Sequence, residues 1–307
     1  MNLYLPIAET TASIFLYIGM GAAIGFLSGM FGVGGGFLMT PLLMLTGIPS
    51  AVAVGTGSAQ IVASSVSGTF SQYRRGNVDF KMGLVLFAGG IIGAALGVEA
   101  VRLLQRIGQF DLFVSLTYVV FLGTIGTLML IESLAAIRKS SRDGPAKRNR
   151  THHTRIHALP FKMRFHRSKL YMSALPPLVI GAFTGLLAAI MGVGGGFVMV
   201  PAMIYLLKMP TSVVIGTSLF QIGCITALTT VLHAATNFNV DAPLAFLLII
   251  GAVIGAEFGA SAGQNLKGEQ LRFLLAALVL MVCARFAWDL IATPADIFSS
   301  SFVREAR

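Results

Sequence analysis

Met30-Phe31-Gly32-Val33-Gly34-Gly35-Gly36-Phe37, followed by Met39 and Pro41, returns later in the chain as Ile190-Met191-Gly192-Val193-Gly194-Gly195-Gly196-Phe197, followed by Met199 and Pro201. The offset is 160 residues. Outward from this stretch, Pro49, Gly55, Thr56 and Gln60 match Pro210, Gly216, Thr217 and Gln221 at 161, and Asn77-Val78-Asp79 matches Asn239-Val240-Asp241 at 162. Gly89, Gly93 and Gly97 then fall on Gly251, Gly255 and Gly259, still at 162. A register that drifts this little across most of each half marks an internal duplication.

Both copies sit in apolar sequence. In the first half the apolar runs are Ala12 to Gly29, Phe37 to Leu45, Ala51 to Phe70, Phe80 to Val98 and Phe110 to Ile131. In the second they are Tyr171 to Ile190, Phe197 to Leu207, Ser212 to Val231, Ala242 to Ala262 and Leu271 to Ile291. The long runs approach the roughly 20 residues that cross a hydrocarbon core. The two short ones, 9 and 11 residues long, reach halfway at a rise of about 1.5 Å per residue. The pattern predicts an all-α polytopic transmembrane bundle of two homologous repeats, with eight full spans and two Gly-rich half-helices. Its parts are a first repeat over 1–131, a basic loop over 132–170, a second repeat over 171–291 and a C-terminal tail over 292–307. The N-terminus carries only Glu9 before its apolar run, without the basic start of a secretory signal, so that run reads as a retained membrane segment.

Composition agrees with a membrane solvent: 55% of residues are hydrophobic and 11% charged, against about 25% charged in soluble domains. The net charge of +10 is almost all local, since Glu132 to Leu170 holds eleven Lys or Arg and two acids. The segment offers no aromatic-interleaved nucleic-acid platform, Phe161 and Phe165 being its only aromatics, and the loop reads as cytoplasmic under the positive-inside rule, facing anionic lipid. His152, His153, His157 and His166 lie in it without a Cys or carboxylate cluster, and read as solvated residues rather than metal ligands. Cys224 and Cys283 lie within apolar runs and behave as small hydrophobes. No cofactor or metal is implied. Four crossings per half make a parallel repeat and five an inverted one; the loop charges lean slightly toward inverted.

A glycine run at membrane depth must line a cavity or pack within protein, because unsatisfied backbone groups are not tolerated in lipid. Glycine permits positive φ and close approach of a ligand, and the helix resuming at Phe37 or Phe197 directs its N-terminus at the same space. Converging N–H groups and a positive dipole end suit an anion. Gly32, Gly34, Gly35, Gly36, Gly192, Gly194, Gly195 and Gly196 are accordingly the candidate substrate-binding residues, with close helix packing or a hinge as the alternative. Phe37 and Phe197 stand where a phosphate loop needs Lys or a dinucleotide fingerprint needs its third Gly, which excludes nucleotide binding. Pro41 and Pro201 remove a backbone donor and are expected to kink or end the short helices as hinges. Gln60 and Gln221, each one turn beyond Thr56 and Thr217, add amides and hydroxyls for a solute or for interhelical bonds. Glu257 lies within an apolar run and Glu99 near the end of the matching one, making them candidates for proton coupling, against snorkelling or a structural bond.

These motifs resemble the TauE/SafE sulfite-exporter family. The resemblance is carried by Gly32 to Gly36 with Pro41, Gly192 to Gly196 with Pro201, Gly55-Thr56, Gly216-Thr217, and the regions of Gly93 and Gly255. It implies movement of sulfite, sulfoacetate or a related anion across a bacterial cytoplasmic membrane. A secondary transporter working by alternating access is the leading expectation, possible as a homo-oligomer in the lipid bilayer, with a channel or cation permease as the alternative. An intramembrane enzyme is the remote third, since His233 has no catalytic partner motif.

Overall fold

A computed structural model describes residues 2–8, 10–31, 34–140, 162–165, 167–168, 170–263 and 268–291. The first half opens with a short hairpin, β1 (Asn2–Leu5) and β2 (Thr10–Ser13). It continues as α1 (Ile14–Phe31), α2 (Gly36–Leu45), α3 (Ser50–Arg74), α4 (Phe80–Ile107) and α5 (Phe110–Ser140). The second half has the same order: β3 (Lys162–Phe165), β4 (Leu170–Ser173), α6 (Leu175–Met191), α7 (Gly196–Tyr205), α8 (Thr211–Thr236), α9 (Ala242–Ala262) and α10 (Gly268–Ile291). The protein is mostly helical, as its composition requires. The hairpins are an addition to the all-helical expectation: Asn2 pairs Ser13 in one, and in the other Lys162 pairs Ser173, within what the sequence presents as loop. The four loop histidines lie outside the described residues.

Helix direction can be read from the seams between small residues. Gly21, Gly25 and Gly29 of α1 meet Leu248, Ala252 and Ala256 of α9 in ascending order, so these helices run parallel. Gly89, Gly93 and Gly97 of α4 meet Leu178, Ala182 and Leu186 of α6 in the same sense. At the centre the order reverses. Ser65 of α3 meets Gly223 of α8 while Gly68 meets Leu219, and Gly123 of α5 meets Cys283 of α10 while Gly126 meets Leu280. Thus α3 is antiparallel to α8, and α5 to α10. Backbones approach this closely because no side chain stands between them, and close van der Waals packing is the main attraction available to helices in lipid.

The two short helices are ten residues each, about 15 Å long. Helix α2 turns back along α1, since the Tyr17 hydroxyl near the start of α1 donates to Thr46 Oγ1 at the end of α2 at 3.2 Å. Pro41 and Pro201 lie inside these helices without ending them: α2 runs on to Leu45 and α7 to Tyr205. Each Pro leaves the carbonyl four residues earlier, of Phe37 or Phe197, without its helical donor.

Among the described residues, five helices (α1, α4, α8, α9 and the first 22 residues of α5) are long and apolar enough to cross a membrane. Helix α6 has 17 residues. Helix α3 is 25 residues long but carries Ser50, Thr56, Ser58, Gln60, Ser64, Ser65 and Gln72, all buried. Its polarity faces protein rather than lipid, which is why hydropathy alone undervalues it.

Candidate functional site

The two glycine loops meet in the middle of the bundle. Gly34 and Gly35 have φ of 83° and 69°, and Gly192, Gly194 and Gly195 have 67°, 71° and 70°. Only glycine takes this left-handed conformation without strain. A methyl placed on Gly36 would lie 2.7 Å from the Val193 carbonyl, so the start of α2 abuts the opposite loop. Gly34 and Gly194 both close on the same pair of side chains, Ile61 of α3 and Ile222 of α8. Neither α2 nor α7 has a side-chain cap at its N-terminus. The first-turn N–H groups of two buried half-helices are therefore left without the usual side-chain acceptor. Two bonds brace the second loop: Thr40 Oγ1 donates to the Gly192 carbonyl at 3.4 Å and the Tyr118 hydroxyl to that of Met191 at 2.8 Å. The described glycines of both motifs are buried, and Gly32 lies outside the described residues.

Gln60 and Gln221 are both fully buried, and neither amide oxygen nor amide nitrogen has a hydrogen-bond partner among the described residues. Ser28 Oγ on α1 is likewise unpartnered, and a methyl on Gly35 would lie 3.0 Å from its Cβ. Buried polar groups are nearly always satisfied. Gln60 and Gln221 stand at matching places in the two halves, and both leave their amides unpartnered among the described residues. Thr56 and Thr217 have another task, their Oγ1 atoms accepting the backbone N–H groups of Asp241 and Asp79 at 3.0 Å.

Those aspartates are the residues that sequence reasoning missed. Asp79 caps α4 by accepting from Met82 N at 3.2 Å, and its other oxygen accepts from Ser168 N at 3.0 Å and Oγ at 2.7 Å. Asp241 caps α9 by accepting from Leu244 N at 3.1 Å, and its other oxygen accepts from Ile7 N at 3.0 Å and Ala8 N at 3.3 Å. Each carboxylate ties the helix it caps to the hairpin of the other half, one at each end of the bundle. An Asp just before an apolar run is a cap signal, but the partner 89 residues away in one case and 233–234 in the other is not visible in sequence. Asp241→Ala is expected to destabilise by about 2–4 kcal/mol, from a lost cap and two orphaned N–H groups. Ser168→Ala, which removes one bond, should cost about 1 kcal/mol. Thermal unfolding in detergent checks both; equal effects would refute the clasp.

Glu257 is exposed on the outer face of α9 beside Val253, Ile254 and Phe258. The Glu99 side chain is 72% exposed and lies 3.8 Å from Arg102. Neither carboxylate joins the glycine loops. His233 is buried, with Nε2 2.9 Å from the Ala189 carbonyl and Nδ1 3.0 Å from Asn237 Nδ2. Its Nε2 thus donates while Nδ1 accepts. Among the described residues no three His, Cys, Asp or Glu side chains gather as metal ligands.

Comparison with known proteins gives a consistent picture. The family described as "Sulfite exporter TauE/SafE" matches residues 17–286. A "Probable membrane transporter protein" of Xylella fastidiosa (strain 9a5c) is 28% identical over 291 residues, 92% of this chain and all of that one. "Probable membrane transporter protein YjnA" of Bacillus subtilis (strain 168) is 26% identical, covering 85% of this chain and 95% of its own. "Sulfite exporter TauE/SafE family protein 3" of Arabidopsis thaliana is 28% identical over 129 residues, 40% of this chain and 27% of its own. No solved structure matches.

Proposed function

Given that this chain belongs to the sulfite exporter TauE/SafE family, a family of membrane transporters, we propose that it carries a small sulfur-containing anion, such as sulfite or an organosulfonate, across a bacterial cytoplasmic membrane by alternating access. The observation that carries the anion reading is the pair of open amides, Gln60 and Gln221, in a core that also buries two uncapped half-helix N-termini. Neutral donors and dipole ends hold an anion without the strong grip of a buried cation, and so also release it. Gly34, Gly35, Gly36, Gly192, Gly194, Gly195 and Gly196 provide the close approach, and Pro41 and Pro201 free a carbonyl in each half-helix.

In this reading the chain is two inverted copies of a five-helix unit. Support comes from the antiparallel pairing of corresponding helices, α3 with α8 and α5 with α10. The Asp79 and Asp241 clasps then hold the two ends shut, and alternate release of one while the other stays made gives access to each side in turn. Arg74, Arg75, Lys81, Arg164, Arg167 and Lys208 gather at the Asp79 end: Arg75 Nη1 donates to the Ala260 carbonyl at 3.2 Å, Lys81 Nζ to that of Arg164 at 3.2 Å and Arg167 Nη1 to that of Gly76 at 3.3 Å. On the positive-inside rule this end is read as cytoplasmic.

Reconstitution in liposomes tests the proposal through flux of labelled sulfite, sulfoacetate, taurine, sulfate and a divalent cation. Sulfite or sulfonate flux is the expected result; flux of the cation alone overturns the anion reading. If a proton is coupled through Glu257 or Glu99, Glu257→Gln or Glu99→Gln removes the response to a pH gradient while leaving flux down the solute gradient. An undiminished response in both variants removes these carboxylates from the scheme.

A further inference from the structure

Between Gly34 and Gly194 the structure places two isoleucine side chains, flanked by Thr226, whose hydroxyl donates to the Ile222 carbonyl of its own helix at 2.7 Å. Ile61 and Ile222 are each 0% exposed. A methyl on Gly34 would lie 2.8 Å from Ile222 Cγ2 and 3.5 Å from Ile61 Cγ2, and one on Gly194 would lie 2.7 Å and 3.4 Å from the same atoms. A methyl on Gly36 would stand 2.2 Å from Ile61 Cδ1. Both loops therefore clasp the same two side chains, and β-branching makes each of those side chains stiff at χ1.

The open amides lie to either side of this pair. Gln221 reaches toward α4, its Nε2 3.5 Å from where a methyl on Gly90 would be. Gln60 lies one turn beyond Thr56 and shares its helix face, and Thr56 Oγ1 accepts the Asp241 N–H at the start of α9. One amide therefore serves the α4 side of the α3–α8 pair and the other the α9 side. Polar binding capacity is split in two, with Ile61 and Ile222 between.

We propose that Ile61 and Ile222 form the central barrier of the transport route, dividing it into two half-sites. One is built on Gln60 and Ser28 at the start of α2, the other on Gln221 at the start of α7. The inference rests on the transporter reading. A small hydrated anion is excluded from such an apolar constriction, as hydrophobic gates exclude ions by dewetting. It passes only when the glycine loops draw away from the pair, which makes movement between half-sites conditional on conformational change and prevents free leakage.

The test is passive leak, which does not require the substrate to be known. Wild type, Ile61→Val/Ile222→Val and Ile61→Ala/Ile222→Ala are reconstituted in vesicles, and proton and chloride leak are measured with an internal pH dye and a potassium–valinomycin clamp. Leak should rise from wild type through the valine pair to the alanine pair, by on the order of tenfold at the end of the series, as expected for a widened dewetting gate. Accelerated, uncoupled efflux of sulfite should accompany it. Overturning the proposal requires variants that elute and melt like wild type yet leak no more than it does, or that lose flux without gaining leak. The valine pair is small enough a change to keep the test decisive if the alanine pair misfolds. A wild type that moves none of the anions, beside an alanine pair that leaks, defeats the transported-anion reading and leaves the barrier standing.

Discussion

Gly93→Ala is expected to prevent accumulation of folded protein, although it adds one methyl group. That methyl would lie 1.8 Å from the Ala182 carbonyl oxygen of α6 and 2.8 Å from the Leu186 nitrogen, so the obstacle is backbone and no rotamer change relieves it. The seam is about as tight toward the start of α4, where methyls on Gly89 and Gly181 would each stand 2.0 Å from an opposing carbonyl oxygen. Overpacking in a core costs about 1–3 kcal/mol when side chains can adjust. Here the whole of α4 has to move off α6, and the expected cost exceeds about 3 kcal/mol, a large fraction of the roughly 5–15 kcal/mol by which proteins are stable. Gly255→Ala at the α1–α9 seam, 2.0 Å from the Ala22 carbonyl, should behave alike. Gly19→Ala is the control, because nothing lies within 4 Å of its added methyl and alanine favours a helix interior by up to about 1 kcal/mol. The yield of monodisperse protein in detergent and its melting temperature measure the difference. A Gly93→Ala protein melting within about 2 °C of wild type would show that the seam is not a rigid backbone contact.

Residues whose role is set by their own helix were legible in the sequence. The spacing of Gly89, Gly93 and Gly97 marks a packing face, and the structure uses it as one. The half-length of α2 and α7 follows from the apolar runs after Gly36 and Gly196. What the sequence withheld depends on which helix faces which. Thr56 and Gln60 share a face, but nothing local says that the face meets α9, or that Thr56 is used up by the Asp241 N–H. Asn77-Val78-Asp79 was visible as a register mark, yet its chemistry comes from Ser168 and Thr217 in the other half. The four-residue strands are too short to carry a period. The polar content of α3 lowers its hydropathy because that measure assumes lipid outside every long helix, whereas the polar side chains of α3 are covered by other helices. Glu99 and Glu257 show the converse: one near the end of an apolar run and the other within one, they read as coupling candidates, and helical phase puts both on outward faces.

Replacing Gln60 and Gln221 together by Met should leave the protein as stable as wild type or more so, while lowering anion flux by tenfold or more, about 1.4 kcal/mol or above. The two effects have opposite signs because the amides cost stability as they stand. A buried donor or acceptor without a partner is worth about 1–3 kcal/mol of destabilisation, and an apolar group of similar shape removes that cost. Met is unbranched and close to Gln in volume, and Gly90 presents no side chain to it on α4. If the amides served only to join helices, their loss would lower the melting temperature. If they were idle, stability would hold or rise and flux would not change. A raised or constant melting temperature with lost flux is therefore the signature of donors held open for a solute, and it separates the binding role from both structural alternatives in one pair of measurements. Single variants add a further distinction. With two half-sites in series, Gln60→Met and Gln221→Met should each slow flux but raise the half-saturating concentration from opposite sides of the membrane, whereas a single shared site would raise it equally from both.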